Sequence, residues 1–272
     1  MRVYISCDME GITGVTKWDE TFITGDEEGF ARARLQMTRE VNAAVEGAVE
    51  AGVTEVLVCD AHGHGTSLLV EELAAEARLI SGFPSRLGMV EGLDRSFDAA
   101  FFIGYHAQAG SPGVLNHSYT GGITHFRING QVVGELGLGV LMAWSQGVPA
   151  ALVTGDDTTV GEAQRLLGCV KTVCTKESAG RYAAVSSLPS DSLARIKKVA
   201  GEAVGPEYLR SLTPLRVEEP VRAEVGFLNT YLAEQAARTR GAERLDARSV
   251  AITVPTFPEA IEALLAMMFL GF

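Results

Sequence analysis

One pattern constrains this chain more than any other: apolar β-type runs that stop at side chains able to bind a cation. Val3 to Cys7 runs into Asp8-Met9-Glu10-Gly11, Thr54 to Cys59 into Asp60-Ala61-His62, and Ala99 to Ile103 into Gly104-Tyr105-His106. Between the first two, Phe30 to Ala51 has apolar residues at helical spacing (Leu35, Val41, Ala44, Val45, Ala48) and a stop at Gly52. Ala77 to Ile80 adds a short further strand. Strand, helix, strand in this order predicts an α/β fold with a layered, mostly parallel sheet flanked by helices. In open sheets of that kind ligands bind beyond the carboxyl ends of the strands. Asp8, Glu10, His62 and His106 stand at those ends.

The rhythm breaks at Gln108 to Thr124, which holds Gly110, Pro112, Gly113, Gly121 and Gly122. A loop this long inside a compact domain is usually functional or disordered. Thr124 to Ile128 and Gln131 to Val133 flank Asn129-Gly130, a strong local hairpin signal. A helix is expected from Glu135 through Trp144, a strand from Pro149 to Thr154 and a helix from Thr158 to Leu167. Beyond about Gly168 the character changes, with helices expected at Asp191 to Val204, Thr230 to Arg238 and Pro258 to Met268. Strands are expected at Arg222 to Leu228 and Arg248 to Val254. Pro206 to Pro220 reads as a linking stretch with three prolines. The chain is therefore divided into a metal-binding α/β unit over 1–170 and a smaller C-terminal α+β unit over 171–272.

Composition removes several function classes. Of 272 residues 47% are hydrophobic and 21% charged, enough for a sizeable core and unlike a disordered chain. The 23 basic and 34 acidic residues leave a net charge of −11, which repels phosphate backbones and anionic lipid. Nucleic acid and membrane are accordingly poor partners. No leader with a basic start and cleavage site precedes the first strand, and no apolar stretch has the length of a membrane span. The four cysteines, Cys7, Cys59, Cys169 and Cys174, form no C-x-x-C pair and read as buried free thiols of a cytoplasmic protein.

Each candidate residue has a plainer reading beside the functional one. Asp8 and Glu10, two apart at a strand end, point the same way if the chain stays extended, and such a pair repels unless a cation or proton lies between. Alone, they could be a solvated loop start. Glu135 could simply complement a helix dipole. The glycines around it, Gly134, Gly137 and Gly139, instead suggest close approach. His64 is a rival to His62, ranked lower because Gly63 and Gly65 imply a turn. His125 reads as a packing or surface residue. Asp156-Asp157 fits a helix cap, and Asp60 an orienter of a site histidine. His117, on the glycine-rich loop, suits proton transfer or oxyanion stabilisation, or is an exposed loop histidine.

The ordered set Asp8-Met9-Glu10-Gly11, Asp60-Ala61-His62, Gly82 with Met89-Val90-Glu91-Gly92, Gly104-Tyr105-His106, Asn116-His117-Ser118, Val133-Gly134-Glu135-Leu136-Gly137 and Gly155-Asp156-Asp157 resembles the D-aminopeptidase family of zinc peptidases, M55, sometimes labelled dipeptide transport proteins. The likeness runs from residue 1 to about residue 180 and more faintly beyond. It implies a cytoplasmic aminopeptidase with a binuclear zinc site, acting on short peptides with an N-terminal D-residue. Asp8 would bridge two Zn²⁺ ions, with Glu10, His62, His106 and Glu135 completing the shell and His117 as the catalytic histidine. A homodecameric ring is implied as well. Three carboxylates and two imidazoles also admit Mn²⁺ or Co²⁺. Two other readings stay open: a binuclear phosphatase or phosphodiesterase, and a dipeptide-binding transport component without catalysis.

Overall fold

The computed structural model describes residues 1–23, 25–82 and 86–271. Its larger sheet is built on β1 (Arg2–Cys7), β2 (Glu55–Asp60), β3 (Ala77–Ile80) and β4 (Ala99–Tyr105). The smaller sheet begins with the hairpin β5 (Ile123–Ile128) and β6 (Gln131–Val133). The chain then returns to the larger sheet through β7 (Ala150–Asp156), β8 (Lys171–Gly180) and β9 (Ala183–Ser186). It closes the smaller one with β10 (Val221–Phe227), β11 (Glu243–Arg244) and β12 (Ser249–Val254). The seven-stranded sheet has the order β3-β2-β1-β4-β7-β8-β9 and is parallel except for β9. The five-stranded sheet, β11-β12-β10-β5-β6, is antiparallel. Strands from both halves of the chain enter each sheet.

Helices α1 (Glu27–Glu50) and α4 (Pro189–Ala203) cover one face of the large sheet, packed against each other. Helix α2 (Glu135–Ser145), the small sheet and α7 (Phe257–Gly271) cover the other face. Helix α3 (Asp157–Leu167) follows β7, α5 (Pro206–Ser211) follows α4, and α6 (Thr230–Ala236) packs on α7. Strand β4 is buried along its whole length, as a central parallel strand covered on both faces should be. Its side chains alternate between two cores: Phe101 and Ile103 join Ile5 and Val41 under α1, whereas Phe102 and Tyr105 join Leu136 and Leu264 on the opposite side. Each such fully buried side chain contributes roughly 1.5–3 kcal/mol of transfer free energy.

Most expected elements stand within a few residues of their expected bounds. The Asn129-Gly130 turn has φ of 49° and 83°, the paired left-handed conformation that a two-residue hairpin requires. Helix α1 starts earlier than its apolar spacing shows, because the Asp26 side chain caps it by accepting from Gly29 N at 2.8 Å. Strands β8 and β9, and the short helix α5 inside the proline-bearing linker, were not expected. The long strand β8 mixes Lys171, Lys176 and Glu177 among its apolar residues and so carries no clean alternation. Nor are all the cysteines buried: Cys169 is exposed and Cys174 half-buried, and only Cys7 and Cys59 lie in the core.

Candidate metal centre

Strand β1 has β2 on one side and β4 on the other, so the crossovers leave it in opposite directions. This is the switch point of the sheet, and a crevice opens beyond its carboxyl end. Asp8 and Glu10 follow β1, His62 follows β2 and His106 follows β4. Glu135 arrives from the opposite side as the first residue of α2, set there by the β5–β6 hairpin. His117 descends from the long loop. All six are buried.

Asp8 and Glu10 do not converge by strand alternation. The chain turns at Met9 and Glu10, with Ile12 N donating to Met9 O at 3.1 Å and Gly11 N to Gly104 O at 2.8 Å. The turn lies so tightly on the end of β4 that a Cβ at Gly104, where φ is +72°, would stand 2.3 Å from Asp8 O. Only glycine fits there. Beneath the turn lies Lys176 of β8, 1% exposed. Its Nζ donates to Glu10 O at 2.5 Å, Ile12 O at 2.9 Å and Val15 O at 2.5 Å. Burial lowers its pKa to about 8, against the raising effect of Asp156 and Glu40. Thr175 Oγ1 adds a bond to Gly11 O at 2.6 Å, and Glu40 accepts from Thr13 N at 3.0 Å.

The three histidines are oriented alike. His62 Nδ1 meets Ser67 Oγ at 2.7 Å, His106 Nδ1 meets Ala107 O at 3.0 Å and His117 Nδ1 meets Leu115 O at 2.9 Å. A carbonyl only accepts, so in neutral His106 and His117 the proton sits on Nδ1 and Nε2 offers its lone pair. His62 Nε2 stands 3.4 Å from Glu10 Oε1, and His106 Nε2 stands 3.2 Å from Glu135 Oε1 and 3.4 Å from Asp8 Oδ2. His117 Nε2 is 3.9 Å from Glu135 Oε1. Asp60 acts on His62 through the backbone, accepting from His62 N at 3.3 Å and Leu68 N at 2.7 Å, so the ring itself is oriented by Ser67.

Four buried atoms of this cluster have no hydrogen-bond partner among the described residues: Asp8 Oδ2, Glu10 Oε2, His62 Nε2 and His106 Nε2. Buried polar atoms are seldom left so, and four that converge from three strand ends fit shared cations. Two overlapping triads have ligand atoms close enough for one ion each, Asp8-Glu10-His106 and His106-His117-Glu135. Imidazole with carboxylate is a donor set suited to zinc and its neighbours.

The protonation states follow from the crowding. Burial raises the Asp8 pKa well above the ordinary range, and Glu10 beside it raises it further. Burial also opposes charge on Glu10, but the His62 imidazole outweighs it and holds Glu10 low. For His62, burial disfavours the cation, yet Glu10 and Asp8 push the pKa up to about 9. His106 is likewise raised, burial being overcome by Glu135 and Asp8. His117 goes the other way, lowered by burial and by the adjacent His106.

Of the other sequence candidates, His64 is exposed at the cavity wall and His125 lies in β5, bonded to Glu224 at 3.1 Å. Asp156 caps α3 by accepting from Thr159 N at 2.8 Å. It also holds the long loop, accepting from Val114 N at 2.7 Å. That loop has two non-glycine residues in the left-handed region, Leu115 (φ 52°) and Tyr119 (φ 58°), two positions on either side of His117. Strain of this kind clusters at functional segments. Tyr119 N donates to Glu135 Oε1 at 2.6 Å, tying the loop to α2. A cavity of about 690 Å³ opens over the centre, walled by Trp18, Phe22, Met89, Tyr119 and Met268. Ser67, Lys176, Trp18, Phe22, Tyr119 and Met268 lie outside every motif quoted from the sequence, and their roles come only from contacts distant along the chain; Met89 alone of the wall residues lies in one.

Comparison with known proteins agrees with this architecture. The D-aminopeptidase family of peptidases, M55, matches over residues 1–266. A D-aminopeptidase of Bacillus subtilis (strain 168) is 39% identical over 270 residues, covering 98% of this chain and 96% of the relative. The solved zinc-dependent D-aminopeptidase DppA from Bacillus subtilis, described as a self-compartmentalizing protease, superposes with a TM-score of 0.96. It is 36% identical, with 100% of this chain and 98% of that one covered. On sequence and fold together, this chain belongs to the D-aminopeptidase family M55.

Proposed function

We propose that this chain is a zinc-dependent aminopeptidase that removes an N-terminal D-residue from short peptides. Asp8, Glu10, His62, His106 and Glu135 would hold two Zn²⁺ ions, and His117 would move protons. The observation that carries this reading is the set of four unpartnered, buried ligand atoms at the sheet's switch point. The names of the two relatives support both the metal and the substrate class. Bound there, zinc supplies a water activated near neutral pH and polarises the scissile carbonyl.

The protein's own groups do the rest. With the ions bound, their charge balances Asp8, Glu10 and Glu135, and an ion or a carboxylate of the centre would hold the free α-amine of the substrate, a group that an interior peptide bond does not offer. Trp18 and Phe22 stand over the site, against His117 and His62 with ring centroids 4.9 and 5.6 Å apart, and shield it from bulk water. Burial and His106 lower the His117 pKa and so favour its neutral form, in which the Nδ1 bond to Leu115 O leaves the lone pair on Nε2. His117 is therefore placed to take a proton during attack and return it to the leaving amine.

We also propose that the chain works as a homo-oligomer, a decameric ring, in the cytoplasm. This rests on the family resemblance and on the self-compartmentalizing description of the solved relative. Among the described residues no helix is long and apolar enough to cross a membrane.

The test is elemental analysis of zinc-equilibrated protein, with turnover of matched D- and L-alanyl p-nitroanilides and of p-nitrophenyl phosphate. Two ions per chain with D-selective amide hydrolysis is expected. One ion or none would remove the binuclear centre, and phosphate hydrolysis without amide hydrolysis would move the chain to the phosphatases. Light scattering that finds only a 28.9 kDa species would remove the oligomer.

A further inference from the structure

The cavity over the centre is lined by carboxylates, imidazoles and apolar side chains, with Arg181 the single arginine or lysine among the described residues that line it. This residue lies in the turn between β8 and β9, far in sequence from the ligands. Three contacts fix its guanidinium. The Cζ atom lies 5.9 Å from the centre of the Trp18 ring and 5.5 Å from that of Tyr182. Its NH2 group donates to Asn116 O at 3.1 Å. The Arg181 backbone is anchored to the same segment, its carbonyl accepting from Leu115 N at 2.9 Å. The loop that carries His117 and the guanidinium are thus one unit.

Among the described residues no carboxylate lies within ion-pair distance of Arg181. By contrast Arg2 pairs with Glu55 at 2.7 Å and Arg222 with Glu243 at 2.6 Å. A guanidinium has five N–H donors, and among the described residues that of Arg181 forms one hydrogen bond, to Asn116 O. The exposed side chain lines a cavity whose other charged groups, among the described residues, are acidic or imidazole, and it lies over the Trp18 ring that itself meets His117.

We propose that Arg181 binds the C-terminal carboxylate of the substrate, making this a site for peptides of two or three residues with a free carboxyl end. The inference rests on the peptidase reading above and specifies what that site selects. The centre takes the amine at one end, and the arginine takes the carboxylate at the other. Each extended residue spans about 3.3–3.6 Å. The His117–Trp18 contact at 4.9 Å and the Trp18–Arg181 contact at 5.9 Å place the guanidinium no more than about three extended residues from His117. Planar, bidentate recognition of a carboxylate is the chemistry to which arginine is suited and lysine is not.

The experiment compares D-alanyl-D-alanine with D-alanyl-D-alaninamide on the zinc-loaded, full-length enzyme. In the wild type kcat/KM should favour the acid by about 10- to 100-fold, the range of a hydrogen bond to a charged group. In Arg181→Ala that ratio should fall toward one, chiefly through a higher KM for the acid, and Arg181→Lys should restore it only in part. Zinc content and thermal unfolding of the variants report whether they fold. A wild-type ratio near one overturns the inference without needing any variant, and so does a ratio that Arg181→Ala leaves unchanged. Both results leave peptide hydrolysis standing. Failure of the zinc-loaded wild type to cleave either compound overturns the peptidase reading and this inference together.

Discussion

The imidazoles of His106 and His117 are stacked, with ring centroids 4.0 Å apart and planes 15° from parallel. Two cationic rings at that separation repel, so the pair divides the labour. His106, against Glu135 and Asp8, is the one that takes charge in the absence of metal, and His117 is kept neutral by burial and by its neighbour. His106→Ala should lower bound zinc and activity together. His117→Ala should keep its zinc content and slow turnover by roughly a hundredfold or more. Zinc titration and a D-dipeptide assay on both variants separate the roles. Zinc loss in His117→Ala would make it a ligand, as its place in the second triad allows.

Loading the centre should release protons. In chelator-stripped protein His62 has its pKa raised from 6.5 to about 9, burial being outweighed by Glu10 and Asp8, and His106 is raised too. Ligand imidazoles must be neutral and ligand carboxylates ionised, so zinc binding near pH 7.5 should expel the protons of His62 and His106, with Asp8 adding to them, and affinity should rise with pH. Isothermal titration in buffers of different ionisation enthalpy counts them. The sign for the stripped fold is the reverse. A raised histidine pKa stabilises fully below pH 6.5, and that contribution is lost as pH rises through about 9. Stripped protein whose thermal midpoint rises across this interval would contradict the arrangement.

Ser67 fixes the His62 ring from behind at 2.7 Å. Removing such an outer partner commonly costs 10- to 100-fold in metal affinity. Ser67→Ala should show a loss of that size in competition with a chromophoric chelator, with the fold intact by circular dichroism. An unchanged affinity would mean that packing alone holds the ring.

Lys176→Met should cost about 3 kcal/mol, because three carbonyls lose a buried cationic donor. Urea unfolding of the metal-stripped protein measures it. Zinc affinity should fall as well, since Glu10 rides on the turn that the ammonium fastens. A loss under 1 kcal/mol would show that Thr175 and Glu40 suffice to hold the turn.

The three strand ends were legible because β1, β2 and β4 are short apolar runs whose next residues are unusual for a loop. A parallel sheet then brings such ends together whatever the loops do. Glu135 needed the hairpin as well as its own helix start, and both carry local signals in Asn129-Gly130 and the flanking glycines. Lys176 was opaque for the opposite reason. In Lys171-Thr172-Val173-Cys174-Thr175-Lys176 it reads as one more surface lysine, and only the fold brings it to carbonyls more than 160 positions earlier. Arg181 was silent in the same way, since the hairpin that places it lies where no strand was expected. That Asp8 and Glu10 lie together at the end of β1 was legible, but the geometry of the pair was not. Extended spacing was expected, and close contact with Gly104 turns the chain instead.

The buried ammonium under the Asp8–Glu10 turn is a counter-charge that no chelator can remove. It braces the cradle through backbone atoms and not through the side chains proposed to hold the ions. Loss of zinc therefore leaves the scaffold standing, and recharging needs only ion entry and proton exit, not refolding. Inactivation by metal depletion should on this account be a reversible pause, with recovery on a timescale set by zinc supply.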